Sequence, residues 1–245
     1  MSDSTSKPLK LPSYGGQALI EGVLMRGSKY LAAAMRAPNG EIVIKTEALH
    51  GIYRSKLTKI PFLRGIEILW DALGLGTRYL TDSANVQAGS EEKIEGPALF
   101  FSLFISFAIA ILLFFVAPAG LAALFEKLFG LTAFVTNLIE GLIRLVFVIL
   151  YIWGVGKMPD VKRVFSYHGA EHKTINAFES GAELTPENVA SFSLYHPRCG
   201  TGFVIILVIF SVILFTLLGP IPNLFIRFSS RIVLLPLLVM VAYEY

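Results

Sequence analysis

Three of the four histidines and the only cysteine of this sequence fall within 32 residues, from His168 to Cys199. His168 and His172 are four positions apart, a spacing that places both imidazoles on one face of a helix. His196 and Cys199 follow in the short segment His196-Pro197-Arg198-Cys199-Gly200, where a tight turn is expected. Imidazole and thiolate are the ligands that zinc and similar borderline ions prefer. The spacing therefore predicts a divalent metal site, with zinc as the expected ion, held by His168, His172, His196 and Cys199.

The same residues allow two kinds of metal site and one interpretation without metal. His168-x-x-Glu171-His172 matches the inverted zinc-protease pattern, in which the glutamate is the catalytic acid and base. Three ligands with an open fourth position would make a catalytic site, whereas binding by Cys199 as well would close the site and make it structural. In the third interpretation the histidines bond to the backbone or face lipid headgroups. The sequence leaves all three open.

Further polar side chains are expected to extend this site. On the predicted helix, Asn176 and Glu179 continue the polar face beyond His172. Ser166 is expected to cap the start of the helix, and Gly181 is expected to end it.

The composition places these residues in a membrane protein rather than in a soluble domain. Hydrophobic residues make up 54% of the chain and charged residues only 16%, whereas an average soluble domain carries about 25% charged residues. The net charge of +3 is too small to favour nucleic-acid binding. A single cysteine excludes a disulfide framework and fits a reducing compartment.

Four apolar stretches predict helices that cross the hydrocarbon core of a bilayer. In the second, Glu140 and Arg144 are one helical turn apart and are expected to neutralise each other in part. The fourth carries Arg227 and Arg231; either these snorkel at its outer end, or the sequence stops before a longer element is complete. The membrane domain is predicted over residues 97–245, with spans at about 97–117, 132–156, 202–219 and 226–245 and a loop over 157–201.

The distribution of basic residues predicts the orientation of these spans. Lysine and arginine number 12 in residues 1–96 and five in residues 157–201, but only one in residues 118–131. Because basic segments stay on the cytoplasmic side, we expect the N-terminus and the histidine-containing loop to be cytoplasmic and the protein to lie in the cell membrane. The lipid bilayer is the one predicted partner; protein partners and oligomeric state remain open.

The N-terminal region reads as a small cytoplasmic α+β unit. Residues 1–13 are predicted to be a mobile polar tail, ahead of the α+β region over residues 14–96. Gly16–Met25 and Tyr30–Arg36 are predicted strands, and Glu41–Glu47 alternates apolar and polar residues as a third. An amphipathic helix is predicted over the segment that begins at Pro61 and ends at Leu80. It is expected both to cover the sheet and to lie on the membrane surface.

Several segments resemble the YqhQ-type family of bacterial membrane proteins. They are Gly15-Gly16-Gln17-Ala18-Leu19-Ile20-Glu21-Gly22-Val23-Leu24-Met25-Arg26-Gly27, Tyr167–Glu179, His196-Pro197-Arg198-Cys199-Gly200-Thr201 and Pro61–Asn85. The resemblance covers nearly the whole chain and implies a multi-pass membrane protein with a metal site. The residues that it places at motif positions are His168, Glu171, His172, His196 and Cys199, with Glu21 and Arg26 in the N-terminal segment.

The resemblance also implies a cytoplasmic helical region beyond the last span, whereas this sequence stops at Tyr245. Any ligand or partner surface from that region is expected to lie outside the sequence.

Three hypotheses of function follow. The first is a metal-dependent membrane hydrolase in which Glu171 moves protons and Asn176, Glu179, Glu21 and Arg26 support the ligands. The second is a non-catalytic scaffold or partner-binding protein, with a structural metal or none. The third, transport, draws only on Glu140 with Arg144 and lacks the inverted repeat that many transporters have.

Overall fold

A computed structural model shows a small antiparallel sheet followed by a mostly helical chain. The predicted tail over residues 1–13 lies outside the described residues. The structure describes residues 14–51, 60–89, 93, 95–197, 199–218, 221 and 223–244.

The sheet has four strands, and each pairs antiparallel with the next along the chain. Its buried face carries Leu19, Leu24, Leu31 and Met35, which pack against Tyr79 of a covering helix. The strands are β1 (Gly15–Leu19), β2 (Gly22–Arg26), β3 (Tyr30–Arg36) and β4 (Ile42–Ala48).

The single strand predicted over Gly16–Met25 is wrong, since the chain reverses there as a hairpin. Glu21 adopts a left-handed backbone, with φ of 50°, and Leu19 pairs directly with Gly22. The two central residues of the turn, Ile20 and Glu21, are not usual turn formers, and only Gly22 after them marks the reversal. The hairpin matters because it projects Glu21 from the sheet.

The predicted amphipathic helix starts later and runs further than residues 61–80. Residues 61–63 form a turn instead, in which Phe62 has φ of 67°. The helix then continues through a π-helical segment. Its first part packs against the last apolar helix of the chain, and its last part covers the sheet, as expected. Its regular parts are α1 (Arg64–Trp70) and α2 (Thr77–Ala88), joined by the π-helical segment Asp71–Gly76.

Four helices are long and apolar enough to cross a membrane among the described residues: Gly96–Phe129, Ala133–Val155, Gly200–Leu217 and Phe225–Ala242. They contain α3 (Gly96–Ile111), the π-helical segment Leu112–Val116, α4 (Ala117–Phe129), α5 (Ala133–Val155), α8 (Gly200–Leu217), α9 (Leu224–Val233) and α10 (Leu235–Ala242).

The first of these helices is longer than the predicted span over residues 97–117 and continues through Pro118. Pro118 lies in the first turn of α4, where a missing N–H is tolerated. It has no N–H for the carbonyl of Phe114, four residues earlier, and Arg144 Nε donates to that carbonyl at 2.9 Å instead. The chain therefore stays helical to Phe129.

Inside the bundle, the predicted Glu140–Arg144 pair is confirmed, with 2.8 Å between Glu140 Oε1 and Arg144 Nη2. Of the two alternatives for Arg227 and Arg231, snorkelling at the outer end of the span is wrong. Both side chains are buried and bind Glu140, at 3.2 and 3.0 Å. An apolar stretch in the sequence indicates where a helix lies. It does not indicate which charged side chains of that helix form ion pairs with a distant segment.

The segment over residues 157–201, predicted as a loop, is largely helical. It contains α6 (Pro159–Glu179) and α7 (Pro186–Ala190). Ser166 is not the N-cap of α6; it lies inside the helix and its hydroxyl donates to the Lys162 carbonyl. Gly181 ends the helix as predicted, in the left-handed conformation with φ of 74°. Helix α6 packs against β1 and β2, which brings the sheet to the histidines.

Candidate metal centre

The two histidines on α6 lie side by side, as their spacing predicts. The ring centroids of His168 and His172 are 4.3 Å apart, and His172 is buried. Cys199 immediately precedes α8 and brings its thiol to the same point, with Sγ 3.4 Å from His168 Nε2. Ligand atoms of His168, His172 and Cys199 all lie within 4.8 Å of one another. We call these three residues the His/His/Cys cluster.

Each histidine of the cluster has its Nδ1 atom close to an oxygen acceptor. His172 Nδ1 lies 2.6 Å from the carbonyl oxygen of Leu194, and His168 Nδ1 lies 3.2 Å from Glu171 Oε2. Because a carbonyl can only accept, His172 Nδ1 carries the proton, and in the neutral ring its lone pair is on Nε2. The contact of His168 with Glu171 is an ion pair by distance, since Glu171 Oε2 has no hydrogen bond in the described part of the chain. Metal-binding histidines are oriented in this way.

His196, the fourth predicted ligand, lies beside the cluster rather than within it. Its ring centroid is 5.9 Å from that of His172, and its Nε2 is 3.5 Å from Glu179 Oε2. The side chain is buried. The structure thus brings together three of the four predicted ligands and places the fourth against Glu179.

Glu171 is buried between α6 and the sheet, and its carboxylate faces His168 Nδ1. A Cβ atom placed on Gly16 of β1 would lie 2.2 Å from Glu171 Oε1 and 2.6 Å from Glu171 Cγ. The absence of a side chain at Gly16 therefore makes the space that Glu171 occupies. This contact orients His168, and a role of Glu171 in proton transfer stays a prediction.

The loop that supplies the Leu194 carbonyl is held by two features of α6. Asn176 Nδ2 donates to the carbonyls of Ser193 and Tyr195, at 2.9 and 3.1 Å, on either side of Leu194. Gly169 lets the loop approach closely, since a Cβ atom there would lie 2.9 Å from Leu194 Cδ2. Asn176 thus supports His172 indirectly, through the backbone.

The two N-terminal candidates reach different surroundings. Glu21 accepts from Arg163 at 2.5 and 3.0 Å and from the Tyr167 hydroxyl at 2.9 Å, so it anchors the β1–β2 turn to α6 next to His168. The hydrogen bond from Arg163 is the main cause that lowers the pKa of Glu21. Arg26 instead forms ion pairs with Glu67 and Asp71 and joins the sheet to the α1 helix and the π-helical segment after it.

The cluster favours a charged pair of imidazolium and thiolate in the absence of metal. The hydrogen bond to Glu171 raises the pKa of His168 to about 9, although burial opposes the rise. Burial alone would raise the pKa of Cys199, but hydrogen bonds from His168 and from the backbone of Gly202 and Thr201 outweigh it and lower the pKa to about 7. A thiolate at neutral pH is the form that binds a metal.

Three participants in the site are not indicated by any polar side chain. The Leu194 carbonyl is a backbone group, and no residue pattern marks it. Gly16 and Gly169 carried a weak signal, since glycine inside a strand or a helix often marks a close approach of another group.

Comparisons with known proteins identify the family and leave the chemistry open. The family described as "Protein of unknown function (DUF1385)" matches residues 60–245. A Bacillus subtilis (strain 168) protein described as "Uncharacterized protein YqhQ" is 34% identical over 249 residues, covering 95% of this chain and 77% of that protein. No solved structure matches the chain. This chain belongs to the DUF1385 family, the family of the YqhQ-type proteins that its sequence resembles.

Proposed function

We propose that this protein is an integral membrane protein that binds a divalent transition metal, with zinc as the expected ion, at the His/His/Cys cluster. We propose further that it acts as a metal-dependent hydrolase. The observation that carries the proposal is the convergence of His168, His172 and Cys199, with ligand atoms within 4.8 Å of one another. The hydrogen bond of His172 Nδ1 to the Leu194 carbonyl and the ion-pair contact of His168 Nδ1 with Glu171 support it.

The surface of the helices supports membrane insertion. Large apolar side chains of α3 such as Phe100, Phe101 and Phe104 are 60–65% exposed, and a soluble protein rarely leaves so large an apolar face in water. On the helix that begins at Arg64, Trp70 is 58% exposed and Leu73 is 50% exposed. A bilayer would cover both surfaces. By the distribution of basic residues, the N-terminus and the cluster face the cytoplasm.

The donor set fits zinc. Two imidazole nitrogens and one thiolate are common zinc ligands, and three protein ligands leave a fourth position for water or substrate. The 3.4 Å between His168 Nε2 and Cys199 Sγ is close to the edge of a tetrahedron with metal–ligand bonds of about 2.0–2.3 Å. His196, whose ring centroid lies 5.9 Å from that of His172, offers a buried imidazole for proton transfer.

When bound, a divalent ion supplies a Lewis acid that activates water near neutral pH. The residues of the chain have separate tasks in this proposal. Glu171 and the Leu194 carbonyl orient the two imidazoles, Cys199 contributes negative charge, and Asn176 holds the loop. His196 exchanges protons with the reacting groups.

One observation favours a second candidate, a cysteine hydrolase without metal. Cys199, His168 and Glu171 are arranged as nucleophile, base and orienting carboxylate, the general geometry of covalent catalysis. In that case the lowered pKa of Cys199 would serve attack on a carbonyl rather than metal binding. The same three side chains therefore serve two chemistries that metal analysis separates.

The test is the metal content of the full-length protein, purified in detergent without chelators and measured by elemental mass spectrometry. We expect about one zinc-class ion per chain, retained in His50→Ala and lost in the double variant His168→Ala, His172→Ala. His50 is the matched control because its side chain is exposed. Wild-type protein without metal, or a double variant with full metal content, would overturn the proposed site.

Cys199→Ser distinguishes the possible roles of the thiol. Retention of the ion with weakened affinity supports an open site with two histidines as the main ligands. Hydrolytic activity that persists without metal and vanishes in this variant supports the cysteine hydrolase.

A second experiment tests the membrane orientation. Glu187→Cys on exposed α7, in the Cys199→Ser background, should react with an impermeant maleimide only after the cells are lysed. Reaction in intact cells would contradict a cytoplasmic cluster.

A further inference from the structure

A second group of charged side chains lies inside the helical bundle, away from the His/His/Cys cluster. Glu140 of α5 accepts from Arg144 of the same helix at 2.8 Å, and from Arg227 and Arg231 of α9 at 3.2 and 3.0 Å. All four side chains are at most 8% exposed. We call them the buried arginine cluster.

Neutral groups complete part of this cluster. Asn137 Oδ1 accepts from Arg227 at 3.4 Å and from Arg231 at 3.3 Å, and Ser211 accepts from Arg144 at 3.2 Å. The guanidinium of Arg231 lies over the ring of Phe215 at 4.1 Å. The three guanidinium groups are thus held in place in part by the neutral side chains of Asn137, Ser211 and Phe215, none of which carries a negative charge.

The cluster carries more positive than negative charge. Three guanidinium groups face one fully buried carboxylate, and guanidinium groups do not lose their protons in proteins. Glu126 approaches Arg227 at 3.5 Å, but its side chain is 44% exposed, so solvent screens its charge. Burying an uncompensated charge costs several kcal/mol even in relaxed proteins. Among the described residues, nothing buried supplies the missing negative charge.

One donor in the cluster has no acceptor among the described residues. Arg231 is 1% exposed, and its Nε and Nη2 atoms bind Glu140 and Asn137. Its Nη1 atom is buried and has no hydrogen-bond partner in the described part of the chain. A buried donor left without an acceptor costs about 1–3 kcal/mol, and more when it is charged. The unpaired donor and the charge excess identify the same missing group, an anion.

We propose that the buried arginine cluster binds a phosphate-class oxyanion, with Arg231 Nη1 as a principal donor. Guanidinium forks match the oxygens of phosphate in a way that a spherical ion such as chloride cannot. The charge excess of two fits hydrogen phosphate, and a phosphodiester headgroup satisfies half of it. The shared chemistry is a tetrahedral phosphate, whether free or at the head of a lipid.

The position of the cluster makes it independent of the proposed metal site. Cys199 precedes α8, whereas Ser211 and Phe215 lie in the second half of that helix. At 1.5 Å per residue, the two sites are about 20 Å apart along the helix. The cluster therefore lies toward the other end of the bundle, which faces the outer leaflet if the proposed membrane orientation holds.

The experiment measures the thermal stability of the full chain in detergent freed of phospholipid. Inorganic phosphate is compared with sodium chloride at equal ionic strength, and added phosphatidylglycerol is compared with diacylglycerol of the same acyl chains. We expect phosphate or phosphatidylglycerol to raise Tm by mass action, while chloride and diacylglycerol do not. A response to the lipid alone assigns a headgroup, and a response to phosphate alone assigns a free oxyanion.

Two variants show whether the response comes from this cluster. Arg231→Gln should remove the rise in Tm, while Arg78→Gln, which changes an exposed arginine near the sheet, should keep it. If Arg231→Gln does not fold, Asn137→Asp provides a second test, because an internal carboxylate next to Arg227 and Arg231 supplies one of the two missing negative charges. Asn137→Asp should raise the basal Tm and weaken the response.

The proposal is overturned if wild-type protein responds to neither phosphate nor phosphatidylglycerol. It is also overturned if Asn137→Asp responds as wild type does. Neither result bears on metal binding, which is measured separately.

Discussion

Gly16→Ala tests whether the sheet positions the metal site. The added Cβ would lie 2.2 Å from Glu171 Oε1, 2.5 Å from Cδ and 2.6 Å from Cγ. Since non-bonded carbon atoms pack at about 3.5–4 Å, the Glu171 side chain must retreat by about 1 Å along its whole length. The contact between Glu171 Oε2 and His168 Nδ1, now 3.2 Å, is then lost or distorted.

The expected effect is on metal affinity rather than on folding. Removal of a group that orients a metal-binding histidine weakens the affinity by about 10–100-fold. In contrast, alanine is favoured over glycine inside a strand by about 0.5–1 kcal/mol, which offsets part of the cost of moving Glu171. We therefore expect a large loss of metal affinity with a small change in Tm of the metal-free protein.

The assay is competition for zinc against a chromophoric chelator, with full-length protein in detergent. Gly15→Ala is the matched control, because a Cβ atom at Gly15 meets nothing within 4 Å. Equal affinities for Gly16→Ala and Gly15→Ala would refute the argument that the sheet positions His168 through Glu171.

Three further predictions concern the thiol, the β1–β2 turn and the bundle. In metal-free protein, alkylation of Cys199 by iodoacetamide should be half-maximal near pH 7, and His168→Gln should move the midpoint upward because it removes a hydrogen bond that lowers the pKa. Glu21→Gln should lower Tm at pH 7. Because Arg163 lowers the pKa of Glu21, the ionised Glu21 side chain stabilises the fold fully above about pH 4.3, and this stabilisation is lost as the pH falls through the lowered pKa. Glu140→Gln leaves three buried guanidinium groups without a carboxylate and should cost about 3–5 kcal/mol in the free energy of unfolding.

Each of these predictions has a control and a contradicting result. An unchanged midpoint in His168→Gln would contradict the contact between His168 and Cys199. Glu41→Gln, at an exposed position, should show no comparable pH dependence of Tm. If the Tm of Glu21→Gln stays below that of the wild type at pH values well below the lowered pKa, the loss is not an effect of charge. Glu126→Gln should change stability little, and an equal loss in Glu126→Gln and Glu140→Gln would contradict the burial argument.

Local patterns in the sequence predicted several elements correctly. The spacing of His168 and His172 placed them on one face of a helix because helical geometry depends only on sequence separation. The Glu140–Arg144 pair was predictable for the same reason, and Gly181 ended its helix as expected. The His/His/Cys cluster also required Cys199 to return to the helix, and the clustering of rare ligand types indicated that return.

Other features depend on contacts between distant segments, which one sequence does not display. Arg227 and Arg231 are buried because Glu140, nearly ninety residues earlier, accepts from both. The orientation of His172 depends on a backbone carbonyl. The hairpin at Glu21 escapes prediction because its central residues, Ile20 and Glu21, are not usual turn formers. The first apolar helix runs beyond residue 117 because Arg144 donates to the Phe114 carbonyl that Pro118 leaves without a partner.

X-ray absorption spectroscopy of the purified, metal-loaded protein tests the central claim most directly. We expect a zinc-edge spectrum with one sulfur ligand at about 2.3 Å and imidazole nitrogens at about 2.0–2.1 Å, and we expect the sulfur contribution to disappear in Cys199→Ser. A bound ion surrounded by oxygen alone, with neither sulfur nor imidazole, would contradict a metal centre at His168, His172 and Cys199.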